Sequence, residues 1–296
     1  MSLEHPVRRI LCATDFSPSS DVALDWAAAL AKREGAELHV VHAWQLPELV
    51  SPAGGIIPMP EVSAEIHREI EAGLKKACEG RTVASQTIRR GMPDTEIAGL
   101  ARDLGVDVVV VGTHGRTGLS HVLLGSIAER VIRLSPVPVV TVPMTWGARA
   151  RAETLVRRVL CPTDLTAASE ASVAEVIAMA ERLGAHVDLV HVLDLPPYAL
   201  RHDEVLSEIE RSVTRDLADL AERHRTRAVA LKTHVRTGVA ADAIVSVATE
   251  IDADLIALPT HARRGVARFF LGSVAERVAR TAARPVLTLR QTDAKA

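Results

Sequence analysis

The chain has 296 residues, with 35 Lys and Arg set against 37 Asp and Glu and only three Trp, three Phe and one Tyr, so it has neither the basic field nor the base-stacking aromatics of a nucleic-acid binder. Three cysteines without CxxC spacing exclude a disulfide framework and a cysteine zinc site. No apolar run approaches the roughly 18–20 residues of a membrane span, and the opening MSLEHPVRRI lacks a signal-peptide core; a cytoplasmic protein with no membrane and no nucleic-acid partner is expected.

In chain order, residues 9–13 form a short apolar run, and 21–33 carry apolar residues at helical spacing. Residues 37–42 read as a second strand, and 63–78 as an amphipathic helix with Ile66, Ile70 and Leu74 four apart. Residues 83–88 alternate with period two, and 95–104 are helical. Residues 106–111 are a β-branched run of the kind buried on both faces of a sheet. Residues 126–134 are helical, and 137–142 make a fifth strand. Strand and helix alternate throughout, which specifies a parallel sheet covered on both faces with right-handed crossovers.

The same order then recurs. Residues 7–47 and 156–196 align without a gap, with 17 identities in 41 positions. DVVVVGTHGRTGLSHVLLGSIAERV from Asp107 matches DLIALPTHARRGVARFFLGSVAERV from Asp254. A period this long means two duplicated domains: residues 1–144, a linker over 145–155, and residues 156–296.

In an open parallel sheet, ligands bind beyond the carboxyl ends of the strands, where strand order reverses. Ala13-Thr14-Asp15 follows the first strand. Gly112-Thr113-His114-Gly115-Arg116 follows the fourth, and Gly125-Ser126-Ile127 opens the next helix. Glycines let the backbone approach a ligand closely, successive N–H groups form an anion nest, and a helix N-terminus favours negative charge. Together these suit a polyphosphate. Neither a Walker A sequence nor GxGxxG is present, so phosphate would be held by another scheme.

The spacing Gly-x2-Gly-x9-Gly-Ser, filled by Gly112, Gly115, Gly125 and Ser126, resembles the nucleotide-binding signature of the universal stress protein family. ILCATDFSPSS, THGRTG and SPVPVVTVP are similar to that family too, and the resemblance runs through both copies. It implies two flavodoxin-like, adenine-nucleotide α-hydrolase-like α/β domains, each a five-stranded parallel sheet of order 3-2-1-4-5. It implies ATP with Mg2+ or Mn2+, the cation held mostly by phosphate oxygens. The loop from Gly112 to Arg116 and the Gly125–Ile127 turn would hold phosphates. Asp15, with its neighbours Ala13 and Thr14, and the backbone near Val41 would meet ribose and adenine. It further implies pairing of the two domains through their last strands, residues 137–142 with 286–289, and a homodimer of tandem chains.

The copies differ. Pro259 replaces Gly112 and Ala262 replaces Gly115, while Asp164, Gly272 and Ser273 are kept as candidates for a weaker second site. Proline lacks a donor and a positive φ, and alanine adds a methyl. ATP is therefore expected in the first domain, and weakly or not at all in the second, where Arg263 and Arg264 could still attract an anion.

Each candidate also has a structural role open to it. Ser126 and Ser273 each start Ser-x-x-Glu, a capping box. Asp15 could cap a turn, with Ser17 as the N-cap and Pro18 at N1. His114 and His261 read as loop-shaping or phosphate-contacting rather than as general bases, since no nucleophile or carboxylate partner is evident. His42 and His191 read as satisfied structural histidines. Cys12 and Cys161 read as buried thiols, leaving Cys78, near Lys75 and Lys76, as the one candidate reactive thiol. Residues 46–62, rich in Pro and Gly, read as either a lid over the adenine or a surface loop.

Function then divides between a nucleotide-dependent stress or signalling protein and an enzyme of the same fold. The enzyme would carry out slow ATP hydrolysis or adenylyl transfer, with Arg116 as the well-placed cation. No catalytic set is evident, and neither HIGH nor SGGxDS occurs. A KH-type nucleic-acid module places Gly-x-x-Gly between helices, whereas here it follows a strand. A purely structural pairing module fits the second domain better than the first.

Overall fold

The computed structural model describes residues 5–45, 60–113, 124–147, 156–195, 203–260 and 272–290. The first half runs β1 (Arg9–Ala13), α1 (Pro18–Glu34), β2 (Glu37–Trp44), α2 (Pro60–Cys78), β3 (Ser85–Arg90), α3 (Pro93–Asp103), β4 (Val108–Gly112), α4 (Ser126–Leu134) and β5 (Val139–Val142). A single 3-10 turn, Met144–Trp146, follows. The second half repeats the order as β6 (Arg158–Pro162), α5 (Ala167–Leu183), β7 (His186–Leu193), α6 (Asp203–Arg223), β8 (Leu231–Thr237), α7 (Ala240–Glu250), β9 (Leu255–Thr260), α8 (Ser273–Thr281) and β10 (Val286–Arg290).

The elements follow from local chemistry. Helix α1 starts three residues earlier than its apolar spacing suggests, because Ser17 accepts the Ser20 N–H and Pro18 sits at N1, where its missing N–H costs nothing. It ends at Gly35, whose φ of 67° is open to glycine without strain. Strand β3 starts at Ser85 rather than Val83, since its register on β2 begins at the His39–Ser85 pair. Strand β5 starts at Val139, after two prolines that cannot donate to a ladder.

Each half has the strand order 3-2-1-4-5, and the ten strands form one sheet, β3-β2-β1-β4-β5-β10-β9-β6-β7-β8. All neighbours are parallel except β5 and β10, which pair antiparallel through Val139–Thr288, Val140–Leu287 and Thr141–Val286. Successive side chains alternate between faces, so each face carries its own core, and each core spans both halves. One joins Ile10, Trp26, Leu74 and Val140 to Val159, Val176, Leu217 and Leu287. The other joins Leu11, Ile97, Val109 and Val131 to Leu160, Ile244, Ile256 and Val278. Polar contacts cross the same seam. Thr288 donates to the Val139 carbonyl (3.1 Å), Arg33 donates to the Leu183 carbonyl, and Arg133 faces Glu276 (3.7 Å).

Candidate functional site

Strands β1 and β4 are neighbours, paired through Ile10–Val108, Leu11–Val109 and Cys12–Val110. Their crossovers leave on opposite faces, which opens a crevice beyond their carboxyl ends. One lip is the turn from β1 into α1. Asp15 Oδ1 accepts from the Ser17 N–H (3.1 Å) and the Ser17 hydroxyl (2.6 Å), so this carboxylate holds the turn, as its structural alternative required. Thr14 Oγ1 accepts from the Phe16 N–H (3.1 Å) and meets Ser20 Oγ (3.1 Å). Phe16 is thereby held at a φ of 63°, a region that L residues seldom adopt. The partly buried Ala13 ends β1 beside this turn.

The other lip is the end of β4 and the head of α4. Thr113 donates its N–H to Val142 (3.1 Å), and its carbonyl accepts from the Gly125 N–H (2.7 Å). These two bonds fasten the helix head to the strand end. Gly125 is the N-cap of α4, and no side chain caps it. Ser126 is therefore the first helical residue rather than the cap, and the capping box that Ser-x-x-Glu suggests is not formed. Glu129 pairs with Arg133 one turn on instead. Ser126 is exposed and Ile127 is 39% exposed, so the first turn of α4, whose N–H groups have no partner within the helix, lies at the surface. Gly272 and Ser273 repeat this arrangement at the head of α8.

Gly112 closes β4 and is not in the left-handed region, so a positive φ is not what proline forbids at the matching position, Pro259. Val41 is fully buried in β2, and its carbonyl accepts the Thr14 N–H (2.9 Å); a carbonyl has a second lone pair. His114, Gly115 and Arg116 lie outside the described residues, as do most of the Pro- and Gly-rich segment after β2 and the loop carrying His261 and Ala262.

Some residues beside the crevice carry structure. His42 is buried, meets the Thr14 carbonyl through Nδ1 (2.7 Å), and stacks on Phe16 with ring centroids 4.3 Å apart. His191 meets the Thr163 carbonyl in the same way (2.9 Å). Cys78 is buried, and burial pushes its thiol up from the ordinary range, so it is not the reactive cysteine that its lysine neighbours suggested. The Phe16–His42 stack escaped sequence reasoning, because only the register of β2 on β1 brings the two together.

The universal stress protein family model matches residues 6–143 and again 156–290. The chain belongs to the universal stress protein family. A relative from Mycolicibacterium smegmatis, also a universal stress protein, is 29% identical across 95% of this chain and 96% of its own. Universal stress protein YxiE of Bacillus subtilis is 35% identical over 144 residues, covering 45% of this chain and 97% of its own. The crystal structure of a universal stress protein from Archaeoglobus fulgidus covers 97% of both chains with a TM-score of 0.67 at 21% identity, a likeness of fold. Among the described residues, no helix is long and apolar enough to cross a membrane, and no three or more His, Cys, Asp or Glu gather as metal ligands.

Proposed function

We propose that this family member is a nucleotide-dependent stress or signalling protein that binds ATP in the crevice of its first domain, residues 1–144. The observation that carries this is the head of α4. The Thr113–Gly125 bond holds its N-terminus, which no side chain caps, at the end of β4, across the β1–β4 switch point from Asp15. Backbone donors and the helix dipole favour phosphate there, and the Gly112, Gly115, Gly125 and Ser126 spacing supports the same ligand. A divalent cation, Mg2+ or Mn2+, would sit on the phosphate oxygens.

The second domain keeps the turn. Asp164 Oδ1 accepts from the Thr166 N–H (3.0 Å) and hydroxyl (2.7 Å). It has lost the glycines at Pro259 and Ala262, which supports one nucleotide per chain. The β5–β10 pairing supports a tandem chain whose two domains act as an internal pair, and the homodimer would join two such chains.

Denaturing the purified chain and identifying the released nucleotide by chromatography tests this directly. Calorimetry with ATP and magnesium should give one site per chain, abolished by Gly115→Val. A chain that carries no nucleotide and takes up none would overturn the proposal, and two equal tight sites would overturn the asymmetry.

A further inference from the structure

The first glycine of the phosphate signature has a neighbour that does not belong to the signature. A Cβ built on Gly112 would lie 2.8 Å from Ser19 Oγ and 2.9 Å from both the carbonyl carbon and oxygen of Ser19. Two of those atoms are backbone in the first turn of α1, and a rigid turn cannot yield as a flexible side-chain tip could. Ser19 is 2% exposed and Ser17 is buried with it. One turn further along the same side of α1, the segment after β5 packs closely too: a Cβ on Gly147 would sit 3.3 Å from Val22 Cγ2.

The second domain lacks this contact. Pro259 stands in place of Gly112 and Ala168 in place of Ser19. The first turn of α5 is covered less: Ala168 and Thr166 are exposed where Ser19 and Ser17 are buried, although Ser169 is buried and donates its N–H to the capping Thr166, and α5 approaches β9 less closely than α1 approaches β4.

From this contact we infer that Gly112 and Ser19 are positioning residues that set the width of the first crevice. They fasten the Asp15 lip to the phosphate lip. Contacts run from Asp15 to Ser17, through the first turn of α1 to Ser19, across to Gly112, and on through Thr113 to Gly125. Gly112 is then required for helix-to-strand approach rather than for backbone approach to phosphate. The second crevice fails as an ATP site partly because proline at 259 holds α5 away from β9. This deepens the proposed ATP site and rests on it.

Hydrogen exchange and calorimetry on the full chain test the inference together. Gly112→Ala, without nucleotide, should speed exchange over residues 17–21 at least tenfold and raise the ATP dissociation constant at least tenfold. Gly115→Val should lose ATP while leaving that exchange unchanged. Unchanged exchange in Gly112→Ala, or faster exchange with unaltered affinity, would overturn the inference. A wild-type chain that binds no ATP would overturn the ATP site itself, and the crevice role with it. Should Gly112→Ala not fold, the reverse graft decides. Ala168→Ser with Pro259→Gly should slow exchange over residues 166–170 at least tenfold, and adding Ala262→Gly should raise ATP stoichiometry from one to two. No slowing would overturn the inference.

Discussion

At Ser126 a single side chain separates helix chemistry from ligand chemistry. A carboxylate in the first turn of a helix stabilises it by about 0.3–1 kcal/mol, yet it repels phosphate at the same place. Ser126→Asp is therefore expected to leave the melting temperature unchanged or slightly higher while weakening ATP binding at least tenfold by calorimetry. Ser273→Asp, at the matching exposed position of α8, should leave ATP binding unaltered. The buried thiols make a second prediction. Desolvation pushes Cys161 up from its ordinary value of 9.0 to about 12, and raises Cys12 further. The folded state thus keeps protons that the unfolded chain releases above pH 9. Stability is complete below that pH and falls as pH rises from about 9 toward 12. The urea midpoint should drop across this range, and Cys12→Ala with Cys161→Ala should flatten the drop.

The turns into α1 and α5 are built alike and buried differently. Ser17 and Thr166 each cap their helix and each donate to an aspartate, Asp15 or Asp164. Ser17 is buried and Thr166 is exposed, and the cost of an unmet hydrogen bond grows with burial. Ser17→Ala should cost about 1–2 kcal/mol and Thr166→Ala about 0.5–1 kcal/mol in urea unfolding. Equal costs would mean that the two turns are equally packed. The alternation of strands and helices was legible because apolar period and β-branched runs are local properties. Strand ends were less so. The starts of β3 and β5 depend on where a neighbouring strand begins to pair and where proline stops donating, and neither appears in an apolar pattern.

Across the whole molecule, both hydrophobic cores cross the β5–β10 seam, so neither half can unfold without stripping cover from the other. Denaturant unfolding followed by tryptophan fluorescence and by circular dichroism should give one coincident transition. Trp26 and Trp146 are both buried in the shared core. A chain ending after residue 147 would leave β5 as an open edge beside uncovered Trp26, Leu30 and Val140. Open apolar edges recruit other strands, so this fragment is expected to sediment as a dimer or larger species, whereas a monomer would show that the seam contributes little.

By itself the sequence determined the doubling of the domain, the α/β order, and the places where ligand chemistry could stand. Those follow from periodicity, glycine spacing and strand ends, which are written in neighbouring residues. Tertiary structure decided what the same residues are used for. Ser126 proved to be the first helical residue and not its cap, because Gly125 is bound to Thr113 across the loop. Cys78 lost its claim to reactivity because the end of α2 turns it into the core. Gly112, which looks like a phosphate residue, lies against Ser19, ninety-three positions earlier in the chain. Such contacts arise only when the crossovers bring α1 down onto β4, and a close approach between distant backbones leaves no trace in either segment alone.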